Sequence, residues 1–131
     1  MVAIQTYAAL ADQPAYQEFD AVVRRIAPGV TLDLLDTYWS MGDLAGLSEA
    51  LKRAGLEIVE TRTTVGIVRY GTVENLVATE IKGTPLADRL SQNQIDQILA
   101  ECATILNPFV TPQRGLEMPI TSHLVAARRA V

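Results

Sequence analysis

The sequence predicts an α/β chain that reads more like an α+β fragment than a complete parallel domain. A run rich in Val, Ile and Thr at 57–70 and a short, partly β-branched run at 2–7 have strand character, and 122–127 reads as a further strand. Between them, apolar residues recur at helical spacing. The resulting order is strand, helix, helix, strand, helix, helix, strand, without the clean alternation of a parallel α/β domain. At 131 residues the chain is expected to form a single domain over 1–131.

Each element has a local reason. Val2–Tyr7 opens as a strand, and Gln13-Pro14 punctuates the loop after it. Pro14 suits a helix start, where its missing N–H removes no intrahelical bond. Tyr16, Phe19, Val22, Val23 and Ile26 then mark a helix that Pro28-Gly29 ends. The stretch from Val30 to Met41 is ambiguous, with Leu32, Leu34 and Leu35 in either a short helix or a packed loop. Asp43 is placed to cap a helix bearing Leu44, Leu47, Ala50, Leu51 and Ala54, with Gly55 just past its end. Glu57–Tyr70 is the second strand, and Gly66 marks a bulge or bend within it. Thr72 caps a helix carrying Val73, Leu76, Val77 and Ile81, which Gly83 and Pro85 break. Ser91 and Gln94 have the spacing of a capping box. The helix behind them carries the stripe Ile95, Ile98, Leu99, Cys102, Ile105 and Leu106 until Asn107-Pro108. Thr111 to Gly115 reads as a turn, followed by two strands, Leu116–Ile120 and Ser122–Ala127.

Composition narrows the function classes. Hydrophobic residues at 49% and charged residues at 20% are globular values. A net charge of −4, with only Arg24-Arg25 and Arg128-Arg129 as basic pairs, argues against a nucleic-acid partner. No segment is long and apolar enough to read as a bilayer span, and the start shows no signal peptide. The one cysteine, Cys102, allows no intrachain disulfide and fits a reducing compartment, so the expected setting is cytoplasmic.

The segments Val2-Ala3-Ile4 followed by Pro14-Ala15-Tyr16, Ser40-Met41-Gly42-Asp43 before a helix ending Lys52-Arg53-Ala54-Gly55-Leu56, the strand Glu57–Thr64 and the terminal His123-Leu124-Val125-Ala126-Ala127-Arg128 recur in order. In that order and spacing the chain resembles the C-terminal half of a Rossmann-like, class I S-adenosylmethionine-dependent methyltransferase. The resemblance implies a small three-stranded mixed sheet in the order first-last-middle, with about four helices. The cofactor half has no counterpart. Glycines stand at 29, 42, 46, 55, 66, 71, 83 and 115, and no two are separated by a single residue, so no glycine-rich cofactor loop is present. The expectation is therefore no cofactor in the isolated chain, with S-adenosylmethionine bound only alongside a partner half.

That resemblance places Tyr7, Tyr16, Tyr38, Trp39 and Met41 in the segments that build the acceptor pocket. They form either an aromatic-lined cleft for a small organic molecule or ordinary core packing. His123 is the only histidine, and no orienting partner lies near it in sequence, so a structural role is expected over a general base. Asp12, Asp33, Asp36 and Asp43 lack calcium-loop spacing, and one His with one Cys makes an intrachain zinc site implausible. Cys102, on an apolar stripe, is expected to be inert. No catalytic residue is assigned.

A chain of this kind leaves Val2–Tyr7 as a sheet edge with neither charge nor proline among Val2, Ala3, Ile4, Gln5 and Thr6 to block pairing. Closure is expected from a second copy, giving a homodimer, or from a separately encoded cofactor-binding half. The functional expectation is a truncated or degenerate methyltransferase-like domain, the acceptor-binding half, inactive alone. The alternative is a non-catalytic α+β interaction or dimerisation protein.

Overall fold

A computed structural model describes residues 1–30 and 33–131. Readings that rest on Leu32, or on the side chains of Asp33 and Leu34, lie outside the described residues. The chain is α+β, with a four-stranded antiparallel open sheet and five α-helices among the described residues. The strands are β1 (Val2–Tyr7), β2 (Leu56–Tyr70), β3 (Val110–Thr111) and β4 (Gly115–Arg129). Their order is β1-β4-β2, the first-last-middle arrangement expected, with β3 paired to β4.

Three expectations about the sheet are corrected. It has four strands, not three: β3 is two residues long, too short to show alternation, and forms the hairpin Val110↔Leu116 and Thr111↔Gly115 around the expected turn. It is antiparallel, not mixed, because β1 and β2 never neighbour each other and β4 runs between them. The two strands expected at 116–120 and 122–127 are one continuous strand.

The helices are α1 (Pro14–Ile26), α2 (Asp33–Trp39), α3 (Leu44–Arg53), α4 (Val73–Val77) and α5 (Gln92–Ile105). About four were expected, and the ambiguous segment before Met41 supplies the fifth. Side chains start three of them. Asp43 accepts from the Ala45 N–H at 3.1 Å, and Thr72 accepts from the Asn75 N–H at 3.1 Å. Ser91 and Gln94 close a reciprocal capping box before α5, at 3.1 and 2.9 Å. Gly55, at φ +82°, takes the left-handed turn that ends α3. The helix expected to run to Ile81 changes form: after α4 it continues as a π-helical turn over Ala78–Lys82.

The chain divides into two compact units, 1–13 with 33–66 and 119–131, and 14–32 with 67–118. In the first, Leu47 and Leu51 of α3 bury against Val125 of β4, with Ile4, Leu44, Leu56 and Ile58 packed around them. In the second, α5 packs on both α1 and α4. Its buried residues include Phe19, Val22 and Val23 of α1, Ile98 and Cys102 of α5, and Leu116 and Met118 of β4.

β4 explains why the sequence suggested a break. Leu116, Met118, Ile120 and Ser122 are buried, and then His123, Val125 and Ala127 are buried. The buried set thus passes from even to odd numbers at Ser122-His123, within a strand whose pairing to β1 runs in regular register from Tyr7↔Ser122 to Val2↔Ala127. Pro119, which has no N–H to donate, lies outside the positions paired with β1 and β3.

Candidate functional site

The first unit contains a cleft of about 480 Å³ lined by Gln5, Thr6, Tyr7, Thr37, Tyr38 and Met41. β1 supplies the first three residues, α2 the next two, and α2 packs against β1. Alternation along β1 leaves Tyr7 exposed at 44% while Ile4 and Thr6 turn inward. Trp39 braces the wall: its ring lies 5.7 Å from that of Tyr7 and 6.0 Å from that of Tyr38, the second pair edge to face. Met41 stands 47% exposed at the rim.

The segment carrying Met41 is held tightly. The Gly42 N–H donates to the Trp39 carbonyl at 3.1 Å. A Cβ on Gly42 would lie 2.3 Å from the Ala9 nitrogen, so only glycine lets this segment seat on the backbone that follows β1. The Gly42 carbonyl in turn accepts from His123 Nε2 at 3.1 Å. That bond puts the ring proton on Nε2, and Nδ1 then accepts from the Thr63 hydroxyl at 2.8 Å. Both imidazole nitrogens are engaged within the protein, which favours the structural role for His123 over the base.

The described lining residues carry no charge. The cleft offers two phenols, an amide, hydroxyls and a thioether around aromatic walls, which suits a neutral organic molecule held by shape and a few hydrogen bonds. The Thr6 hydroxyl oxygen is buried and has no hydrogen-bond partner among the described residues.

Four of the five residues expected to form a pocket are therefore together: Tyr7, Tyr38 and Met41 line the cleft and Trp39 supports it. Tyr16 lies elsewhere. It belongs to the other unit, on the buried face of α1, and is 7% exposed. Sequence reasoning missed Gln5, Thr6 and Thr37. Alternation along β1 puts Gln5 on the exposed side with Tyr7 and Thr6 on the opposite one, so the strand pattern alone does not name both.

β1 runs into buried Ala8, and the Ala8 N–H is already bonded to the Thr121 carbonyl at 2.9 Å. β2 leads to a lone Gly71, where an added Cβ would already meet the Asn75 amide at 3.1 Å. Asp43 is spent as a helix cap, and among the described residues no three His, Cys, Asp or Glu side chains converge as a metal site would need. Cys102 is fully buried, and burial, aided by the neighbouring Glu101 charge, pushes its thiol up to about 12. Among the described residues no helix is long and apolar enough to cross a membrane. The chain matches no protein-family model and no curated protein sequence.

Proposed function

We propose that this chain is a methyltransferase-like half-domain that binds a small, neutral, aromatic or otherwise planar organic molecule and does not catalyse alone. The observation that carries the reading is the convergence of Tyr7, Tyr38, Trp39 and Met41 at the end of β1. The first-last-middle strand order supports the likeness to a methyltransferase C-terminal half. S-adenosylmethionine would enter only with a separately encoded half, joined along the outer edge of β1, or across a homodimer formed there. The lone, buried Cys102 supports a cytoplasmic setting.

Trp39 is the only tryptophan and stands against the cleft, so its fluorescence reports occupancy. The expected result is saturable quenching by a phenol or indole series, lost in Tyr38→Ala and Met41→Ala, with no response to S-adenosylmethionine or S-adenosylhomocysteine. Saturable binding of either nucleoside by the isolated chain would sink the non-catalytic reading. Silence across the aromatic series would sink the cleft.

A second reading, a non-catalytic interaction protein, draws on the sheet edges. β1 and β2 both end the β1-β4-β2 order, and Val2, Val59, Val65 and Ile67 on them are exposed. Sedimentation of the purified chain with a Val2→Lys variant separates the two: an assembly that the β1 charge dissolves, with no ligand response, favours this alternative.

A further inference from the structure

We propose that the second unit carries a separate site for a small organic ammonium ion with an apolar body. The site is a groove of about 480 Å³ lined by Val73, Glu74, Asp96, Leu99, Ala100, Ala103, Asn107 and Val110. Its floor is the outward stripe of α5, where Asp96, Leu99, Ala100 and Ala103 fall at the i, i+3, i+4 and i+7 positions of one helix face. The start of α4 forms one wall, and the 3₁₀ turn Asn107–Phe109 with Val110 closes the end.

The apolar part of this groove exceeds what the core uses. The buried residues of α5 are Ile95, Ile98 and Cys102, so Leu99 stands outside that set although its sequence spacing put it on the core stripe. Ala100 and Ala103 are exposed, and their short side chains leave depth where longer ones would fill it. Val110 adds apolar surface at 40% exposure.

Charge decides the occupant. Both ionisable groups of the described lining are carboxylates, Glu74 and Asp96, and no lysine or arginine is among them. Asp96 is already oriented, accepting from the Gln92 side-chain amide at 2.9 Å. Two negative charges over an apolar floor complement a cation attached to a hydrocarbon body and repel its carboxylate counterpart. The volume lies in the range of small-molecule sites. The inference does not depend on the aromatic cleft, which is in the other unit and carries no charge.

The test is calorimetric titration of n-hexylammonium, 1-hexanol and hexanoate into the full chain at low salt. The expected result is one-to-one binding of hexylammonium, at least about tenfold tighter than hexanol, with no binding of hexanoate. Glu74→Gln with Asp96→Asn should bring hexylammonium down to the level of hexanol. Ala100→Trp should fill the groove and remove both, with circular dichroism confirming that each variant is folded. No hexylammonium binding by the folded wild-type chain at millimolar concentration overturns the proposal. So does equal binding of hexanol, or hexylammonium binding that survives removal of both carboxylates.

Discussion

The side chain of Gln13 stands in for a strand against the backbone of Thr121. Its Oε1 accepts from the Thr121 N–H at 2.8 Å, and its Nε2 donates to the Thr121 carbonyl at 2.8 Å and to the Ala8 carbonyl at 3.2 Å. Pairing of β1 with β4 stops at Tyr7↔Ser122, and the carboxamide takes up the backbone groups one residue further on. Gln13 is fully buried, so water cannot replace it if it is lost. Gln13→Leu should destabilise the chain by about 2–4 kcal/mol, because buried backbone groups left unpaired cost about 1–3 kcal/mol each. Urea unfolding measures it, and a change below about 0.5 kcal/mol would show that the bonds add nothing.

Gly42→Ala should harm both stability and the cleft. The new methyl must displace the Ala8–Ala9 backbone, an overpacking that costs about 1–3 kcal/mol. The same shift moves Trp39 and Met41, so the tryptophan emission maximum should change in the folded variant. A folded variant with wild-type emission and melting temperature would contradict the close seating.

Thr6→Val should be neutral or stabilising, by up to about 1 kcal/mol. It replaces a buried hydroxyl that has no partner with a methyl of the same shape. Thermal melts check this. If the substitution also weakens binding of a phenol at the cleft, the hydroxyl is a ligand contact.

Cys102 should make the chain alkali-sensitive. The thiol ionises near its ordinary 9.0 when unfolded and only near 12 when folded. Below pH 9 both states hold the proton and the thiol contributes no slope. From pH 9 to 12 only the unfolded state releases it, so stability should fall by about 1.4 kcal/mol per pH unit. The difference between wild type and Cys102→Ala over this range isolates the effect from tyrosines and lysines. Ellman's reagent should leave the native thiol untouched below pH 9.

Removing His123 should cost more in one shape than another. His123→Gln can still donate to Gly42 and accept from Thr63, whereas His123→Leu can do neither. The leucine variant should be the less stable by about 1–3 kcal/mol, read by chemical denaturation. Equal stability would mean that the two bonds are incidental.

Much of this was legible from local chemistry. The caps at Asp43, Thr72 and Ser91, the end at Gly55 and the buried stripe of α5 follow from residues close in sequence. The grouping of Tyr7 with Tyr38, Trp39 and Met41 came through family likeness, and the helix that brings them together lies in a segment whose sequence left helix and packed loop open. Tyr16 was grouped with them through the same likeness, but at Pro14 the chain enters the other unit. β3 was hidden by its length, and β4 by Ser122 and His123, two polar neighbours that are both buried and so interrupt period-two alternation. Leu99 looked like core because spacing reports a face of a helix, not how much of that face a neighbour covers.

The exchange of buried parity along β4 has a consequence for how this gene tolerates change. A one-codon deletion or insertion just before Ser122 would leave 123–127 in place and carry Leu116, Met118 and Ile120 to the wrong side of the sheet. Point substitutions along β4 have graded effects, but a length change of one residue there has no conservative version. Only paired changes, a loss and a gain on the same side of Ser122, would keep the reading frame of the fold.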